Sequence, residues 1–248
     1  MEKVVLVTGA SRGIGAATAR LAAAQGYAVA VNYASNADAA EGVVQGIGAA
    51  GGTAIALQGD VADEAQVLRL FEQVDAKLGR LTALVNNAGV VDMSQRVVDM
   101  SAARLKRMFD INVIGSIVCA REAVRRMSTK RGGHGGAIVN LSSCVSRLGA
   151  PGMYVDYAAS KGAIDTFTIG LAKEVGAEGI RVNAVRPGLI ETDIHASGGA
   201  PDKVRELTPQ IPMQRGGSAD EVAQAICWLL SDGASYTTMS LIDVSGGR

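Results

Sequence analysis

Short apolar runs alternate with longer segments of helical periodicity along the whole chain. The runs are rich in β-branched residues and are four to six residues long, which is typical of buried strands. Strands are predicted at Val4–Val7, Ala28–Tyr33, Ala54–Leu57, Leu81–Val85, Ala137–Leu141, Arg181–Val185 and Leu241–Val244. The segments between them predict helices at Ala16–Gln25, Ala37–Ala49, Glu64–Leu78, Ser101–Met127, Tyr157–Val175 and Ala219–Leu230.

This regular alternation predicts βαβ units, which build a parallel sheet with helices on both faces because their crossovers are right-handed. No linker, internal repeat or low-complexity tract divides the chain. We therefore expect one α/β domain over residues 1–248, with a doubly wound sheet of seven mainly parallel strands. The irregular stretch at about residues 188–206 is predicted to be a lid over the substrate, and its His195 is a candidate substrate contact.

Composition narrows the class of protein. The chain has 24 basic and 24 acidic residues, so bulk charge does not favour a nucleic-acid or acidic-membrane partner. The amino-terminal residues do not have the pattern of a signal peptide, and no apolar run reaches the length of a membrane span. Three widely spaced cysteines and two distant histidines predict no disulfide and no metal site. A cytoplasmic location is expected.

A glycine-rich turn follows the first predicted strand. It reads Thr8-Gly-Ala-Ser-Arg-Gly-Ile-Gly15, with GxxxGxG spacing rather than the GxGxxG of the usual dinucleotide fingerprint. Glycines allow a tight turn and a close backbone approach to a pyrophosphate, and the amino terminus of the next helix favours an anion. Glycine clusters also serve turn geometry alone, but the position between a strand and a helix favours nucleotide binding.

Further motifs follow in order, and together they resemble the short-chain dehydrogenase/reductase family. They are Asp60-Val61, Asn86-Asn87-Ala88-Gly89, Asn112, Ser143, Tyr157-Ala-Ala-Ser-Lys161 and Pro187-Gly188. Singly, each is an ordinary turn or cap, but all stand at the expected element boundaries. The resemblance implies a Rossmann-type fold, and it implies a cofactor site formed by Gly9, Ser11, Arg12, Gly13, Ile14, Gly15, Asn32, Tyr33, Ser35, Asp60, Val61, Asn87, Ala88, Gly89, Tyr157, Lys161, Pro187, Gly188, Ile190 and Thr192.

The end of the second strand bears on the choice of cofactor. Enzymes that use NAD commonly place an acid there, which binds the ribose hydroxyls and repels a 2′-phosphate. Here Tyr33 stands at that place, and Arg12 supplies a cation nearby. We therefore expect NADP(H). The alternative is that Arg12 is merely solvated and that the choice is loose.

The candidate catalytic residues are Asn112, Ser143, Tyr157 and Lys161. Tyr157 and Lys161 are one helical turn apart and so share a face. Reduction of a carbonyl leaves negative charge on oxygen, which requires a proton donor, and a nearby ammonium is expected to lower the pKa of a tyrosine. The resemblance implies that Tyr157 is the acid or base, that Lys161 also binds the nicotinamide ribose, that Ser143 binds the substrate oxygen, and that Asn112 holds a water for proton relay.

Two of these assignments have competitors. Tyr154 is a second tyrosine, but Lys161 is not one turn away from it. The family's serine usually precedes the tyrosine by thirteen residues, a place that Cys144 occupies here. We expect one extra residue in the following loop, which leaves the serine role with Ser143 rather than with Ser142.

The predicted function is hydride transfer between NADP(H) and a carbonyl or secondary alcohol. The alternative is a non-catalytic NADP-binding sensor or scaffold on the same fold. The chain is similar both to 3-oxoacyl-(acyl-carrier protein) reductases and to bacterial glucose 1-dehydrogenase-like members, so the substrate stays open. The resemblance implies a homotetramer in which the helices Ser101–Met127 and Tyr157–Val175 pair between subunits.

Overall fold

The computed structural model describes residues 3–192, 199 and 203–248. These residues form one seven-stranded sheet in the order β3-β2-β1-β4-β5-β6-β7, and every adjacent pair is parallel. The strands are β1 (Lys3–Val7), β2 (Tyr27–Tyr33), β3 (Thr53–Gln58), β4 (Ala83–Asn86), β5 (Gly136–Leu141), β6 (Ile180–Pro187) and β7 (Leu241–Val244). The predicted doubly wound sheet is confirmed, and it is wholly parallel.

The helices of the described residues connect these strands. They are α1 (Gly13–Ala24), α2 (Ala37–Ala49), α3 (Glu64–Leu78), α4 (Ala102–Phe109), α5 (Ser116–Met127), α6 (Val145–Leu148), α7 (Val155–Val175), α8 (Lys203–Leu207) and α9 (Ala219–Leu230). None of the helices in the described ranges has the length and apolar character that a membrane crossing requires.

Two apolar layers cover the two faces of the sheet. On one face, buried residues of α1, α2 and α9 pack against alternate positions of the strands, including Val5, Val29 and Val139. On the other face, α3, α5 and α7 pack against the intervening positions, including Leu6, Leu84 and Ile138. Because strand side chains alternate between faces, a central strand buried on both sides must be apolar throughout, as the valine-rich runs are.

Local side chains begin and end several helices. Asn36 caps α2 by accepting from the backbone N–H of Ala39, and Asp63 caps α3 in the same way from Gln66. Ser218 and Glu221 form a reciprocal capping box at the start of α9. These caps explain why the predicted bounds of α2, α3 and α9 match the structure.

The predicted continuous helix Ser101–Met127 is wrong in one respect. Ser101 does cap its start, but a π-helical segment, Asp110–Gly115, separates α4 from α5. A Cβ atom at Gly115 would lie 2.7 Å from the backbone oxygen of Val61, so the chain packs tightly against the segment after β3. The wider π turn also holds the Asn112 side chain in hydrogen bonds to other elements.

The strand order reverses between β1 and β4, because β2 and β3 continue on one side and β5 to β7 on the other. In open parallel sheets, such a switch point opens a crevice at the carboxyl ends of the strands. The glycine turn follows β1 and Asn87 follows β4, so the predicted site lies at this crevice.

Candidate active site

The glycine turn has no room for larger side chains. Gly9 has φ +61°, and a Cβ atom there would lie 2.9 Å from the Cα atom of Ala88. A Cβ atom at Gly15 would lie 2.5 Å from both the Asn87 amide nitrogen and the Gly9 oxygen. Arg12, the residue before α1, provides no side-chain cap for this helix. The first-turn N–H groups of α1 are therefore free of a capping side chain and available to an anion.

Thr8 and Asn87 join the turn to β4. The Thr8 hydroxyl accepts from the backbone N–H groups of Asn87 and Ala88, both at 3.0 Å. The Asn87 amide donates to the carbonyl oxygens of Thr8 and Gly9, both at 2.9 Å. Asn87 was predicted, whereas Thr8 was not assigned a role. These four hydrogen bonds fix the glycine turn after β1 to the segment after β4, and the two segments border the crevice.

Asn32 has a different role from the predicted cofactor contact. Its side chain is buried, it accepts from the Gly9 N–H at 3.1 Å, and it donates to Leu57 and Gly59 carbonyl oxygens at 3.3 and 2.9 Å. Since both ends of the amide are occupied beneath the turn, Asn32 supports the turn rather than facing a nucleotide.

The other residues predicted to select the cofactor, at the end of β2 and in the glycine turn, are accessible to solvent. Tyr33 is half-buried, whereas Arg12 and Ser35 are exposed. Within the described ranges, the Arg12 guanidinium has no ion pair with an acidic side chain. The structure therefore has an exposed arginine in the glycine turn and a tyrosine instead of an acid at the end of β2.

Asp60 and Val61 follow β3 at the same edge of the sheet. The Asp60 carboxylate is exposed and accepts from the Ala62 N–H at 2.9 Å, which is a local turn contact. Val61 is buried against Gly115 of the π-helical segment. Their contact with the adenine ring, which the resemblance implies, stays a prediction.

Asn112 ties three parts of the site together. Its amide nitrogen donates to the Val90 oxygen at 3.0 Å and to the Ser160 hydroxyl at 3.1 Å, and its amide oxygen accepts from the Val90 N–H at 2.8 Å. A Cβ atom at Gly89 would lie 3.4 Å from that oxygen and 3.5 Å from Lys161 Nζ. The side chain therefore positions the segment after β4 next to α7, and its water-holding role stays a prediction.

A cavity of about 660 Å³ opens beside the glycine turn. Ser143, Tyr157 and Lys161 line it together, as do the predicted cofactor residues Ile14, Asn87, Gly89, Pro187, Gly188, Ile190 and Thr192. Burial has the largest effect on the pKa of Tyr157 and raises it, while Ser143 lowers it, and Lys161 Nζ lies 5.6 Å from the centre of the Tyr157 ring. A serine and a tyrosine hydroxyl that lie in the same cavity can together bind one substrate oxygen.

Burial governs the protonation of this pair. It raises the pKa of Tyr157 to about 12 and lowers the pKa of Lys161 to about 8, an effect that the Asp165 carboxylate partly offsets. The net shift of the Tyr157 pKa is therefore opposite to the expected lowering, and burial is its largest cause. The Lys161 ammonium donates to the Leu141 carbonyl oxygen at 2.7 Å, and its effect on the Tyr157 pKa stays a prediction.

Of the competing residues, Ser142 and Cys144 line the same cavity and Tyr154 does not. The Ser142 hydroxyl is buried and donates to the Lys161 backbone oxygen at 3.2 Å, which leaves Ser143 as the serine next to Tyr157. Cys144 lines the cavity, and burial raises the pKa of its thiol. Tyr154 is buried before α7 and does not line the described part of the cavity.

Part of the predicted lid lies outside the described residues. This holds for residues 193–198 and 200–202, and therefore for His195. At the near end, a Cβ atom at Gly13 would lie 3.5 Å from the Thr192 side chain, so Thr192 lies over the glycine turn. At the far end, Leu207 and Gln210 line the cavity, and sequence reasoning missed both because no motif marks them.

Two further groups behind the cavity were also missed. Arg104 forms a buried, two-pronged ion pair with Asp156, the residue before Tyr157, and also donates to the Met93 oxygen at 2.7 Å. Asp165 pairs with Arg186 at 2.9 Å, one turn beyond Lys161. The sequence does place charged residues within apolar helix patterns. It does not indicate their ion-pair partners, because these are distant in sequence.

No group of three or more potential metal ligands occurs among the residues described.

The family model described as enoyl-(acyl carrier protein) reductase matches residues 9–248. The chain is 58% identical over 245 residues to the uncharacterized oxidoreductase YgfF of Escherichia coli, covering 99% of each. It is 39% identical to a 3-oxoacyl-[acyl-carrier-protein] reductase FabG of Staphylococcus aureus, covering 100% of this chain and 98% of the relative.

Solved structures agree with these relatives. A short-chain dehydrogenase from Burkholderia cenocepacia in complex with NADP matches with a TM-score of 0.90 at 34% identity, over 99% of this chain and 97% of that one. A short-chain dehydrogenase/reductase of Serratia marcescens matches with a TM-score of 0.91 at 34% identity and the same coverage. The chain therefore belongs to the short-chain dehydrogenase/reductase family, and it is an oxidoreductase.

Proposed function

We propose that this enzyme uses NADP(H) to interconvert a carbonyl and a secondary alcohol, with Tyr157 as the proton donor in reduction. The observation that carries the proposal is the cavity that Ser143, Tyr157 and Lys161 line together with residues at the glycine turn, at the switch point of the sheet. When bound, the cofactor supplies or accepts the hydride.

The residues present fit a dinucleotide. The turn at Gly9 and Gly15 leaves no space for a Cβ atom, and α1 offers its first-turn N–H groups to a pyrophosphate. Asp60 and Val61 would hold the adenine end, and Asn87, Ala88 and Gly89 would line the centre. We further propose that Pro187, Gly188, Ile190 and Thr192 hold the nicotinamide end, because they continue β6 into the same cavity.

The four catalytic side chains have different proposed tasks. Ser143 and Tyr157 bind the carbonyl oxygen, and Tyr157 donates its phenolic proton as negative charge develops there. A pKa of about 12 keeps that proton in place at neutral pH, which favours reduction. Lys161 stabilises the phenolate that forms and would bind the ribose, while Asn112 positions the loop after β4 and would hold a water for proton relay.

The preference for NADP over NAD rests on the residues around the end of β2. Arg12 is an exposed cation, Ser35 is an exposed hydroxyl, and Tyr33 stands where an acid would repel a 2′-phosphate. The solved relative from Burkholderia cenocepacia binds NADP, which supports this assignment.

The test compares kcat/KM for NADPH and NADH with a panel of ketones and aldehydes. We expect NADPH to be preferred at least tenfold, and we expect Tyr33→Asp to remove or reverse that preference through repulsion of the 2′-phosphate. Gln25→Asp, an exposed change at the end of α1, is the matched control and should keep the preference. Equal use of both cofactors by the unaltered enzyme would contradict the assignment.

The substrate is a carbonyl compound, and the name of the Staphylococcus aureus relative supports an oxoacyl chain as one candidate class. We also propose a cytoplasmic homotetramer. Three buried free cysteines support a reducing compartment, and exposed Ile114 and Ile117 in the paired-helix region support assembly. Neither the relatives' names nor the described site favours the non-catalytic alternative.

A further inference from the structure

The cavity has a second group of lining residues that the cofactor does not require. Val145 and Leu148 come from α6, Met153 precedes α7, and Leu207 ends α8. Along the chain, α6 lies shortly after Ser143 and Met153 lies just before Tyr157, whereas α8 follows β6. These apolar side chains therefore form the wall against which the body of a substrate would pack.

One cation interrupts this apolar wall. Arg248 lines the cavity, and its Nη1 atom is buried without a hydrogen-bond partner. Its backbone is fixed, because its N–H donates to the Ser245 oxygen at 3.4 Å and its carbonyl oxygen accepts from Arg147 at 3.4 Å. A buried guanidinium nitrogen without a partner is unfavourable, so the position points to a ligand that completes it.

The charge of the cavity favours an anionic ligand. Within the described part of its lining, Lys161 and Arg248 are the charged residues, and both are cations. Lys161 already donates to the Leu141 oxygen and lies against Tyr157. The Arg248 charge acts on Cys144, directly after Ser143, where it lowers the pKa of the thiol against the raising effect of burial. Arg248 therefore lies near the reacting end of the cavity.

We propose that Arg248 binds a carboxylate of the substrate, so that the physiological substrate is a keto acid or the corresponding hydroxy acid. This inference rests on the proposed function and specifies its substrate class. A guanidinium binds a carboxylate through two parallel N–H donors, and the pairing is strong in a site that excludes water. The apolar wall contacts the carbon chain between the carboxylate and the carbonyl that Ser143 and Tyr157 bind.

The test uses pairs of ketones that differ only in charge: 4-oxopentanoate, 5-oxohexanoate and 6-oxoheptanoate, each against its methyl ester. With NADPH, we expect at least one acid to exceed its ester at least tenfold in kcat/KM, which corresponds to about 1.4 kcal/mol. Arg248→Gln should remove this preference by lowering kcat/KM for the acid much more than for its ester. Arg248→Lys should restore part of it. Arg131→Gln, which removes an exposed cation outside the cavity lining, should retain it.

Two results would overturn the proposal: no preference for any acid in the unaltered enzyme, or the same preference in Arg248→Gln. In either case, reduction of the esters would leave the proposed function standing. If no ketone is reduced, the proposed function fails, and calorimetric binding of hexanoate against hexanamide decides the role of Arg248 by itself. Binding of hexanoate that is lost in Arg248→Gln supports the proposal, and absence of hexanoate binding refutes it.

Discussion

Tyr157 and Lys161 are both driven toward their neutral forms by burial. The pKa of Tyr157 rises to about 12 and that of Lys161 falls to about 8, so near neutral pH the tyrosine holds its proton and the lysine keeps its charge. This is the protonation state that reduction requires. Above about pH 8 the lysine loses its charge first, and the phenolate that forms during proton donation loses its nearest cation.

The pH dependence of reduction follows from this order of titration. We expect kcat/KM for carbonyl reduction to be flat below about pH 8 and to fall above it. Asp165→Asn should move the fall to lower pH, because the Asp165 carboxylate raises the pKa of Lys161. Asp99→Asn, an exposed change, is the control. An unchanged profile in Asp165→Asn would show that Lys161 is not the titrating group.

The sequence predicts which residues form the site better than it predicts the burial and hydrogen bonding of each one. The spacing of Tyr157 and Lys161 placed both on one helix face, and the structure brings them to one cavity. The direction of the Tyr157 pKa shift was wrong because it depends on burial by neighbours distant in sequence. Asn32 was misassigned for the same reason, since the occupation of its amide by Gly9, Leu57 and Gly59 depends on tertiary structure.

Among the elements, the turn between β1 and α1 is the most tightly constrained part of the site. Gly9→Ala adds a Cβ atom at 2.9 Å from Ala88 Cα in a backbone with φ +61°, so we expect a loss of roughly 1–3 kcal/mol in stability and at least tenfold weaker NADPH binding. Thermal denaturation and fluorescence titration measure the two effects.

Gly42→Ala provides the control for the same change in a different environment. Gly42 lies in the exposed interior of α2, and a Cβ atom there meets nothing within 4 Å. We expect a gain of about 0.5–1 kcal/mol, because alanine restricts the unfolded chain more than glycine does. If Gly9→Ala behaved like Gly42→Ala, the close approach at the turn would not matter for binding.

Elements with local signals were predictable, and elements shaped by distant contacts were not. The bounds of α2, α3 and α9 follow from nearby capping side chains. The π-helical segment Asp110–Gly115 was missed because its apolar spacing continues that of α4 and α5. What distinguishes it is the packing of Gly115 on Val61 and the bonding of Asn112 to Val90 and Ser160.

At the scale of the whole molecule, the doubly wound topology explains why residues from distant parts of the chain share one cavity. The carboxyl ends of β1, β4, β5 and β6 lie at one edge of the sheet, so the loops after them converge. Alternation of strands and helices was enough to predict this edge. It could not predict Arg248, because no motif connects a residue after β7 with a cavity beside β5.

The proposed tetramer yields a prediction about one exposed apolar surface. Ile114 at the end of the π-helical segment and Ile117 at the start of α5 are 50% and 38% exposed. We expect Ile114→Arg to dissociate the assembly to smaller species in sedimentation velocity, because it places a charge in a buried contact. Ala24→Arg, on exposed α1 in the other helical layer, should leave the assembly intact. A monomeric unaltered protein would refute the tetramer.

In the proposed function, the Tyr157 hydroxyl supplies the proton during hydride transfer in the cavity that the glycine turn borders. The most direct test of this role is the single-turnover rate of NADPH oxidation by a carbonyl substrate in Tyr157→Phe, with NADPH affinity measured on the same sample. We expect a fall in rate of about 10²–10⁴-fold with affinity within threefold of the unaltered enzyme, because only the proton donor is removed. A rate within threefold of the unaltered enzyme would show that Tyr157 is not the proton donor.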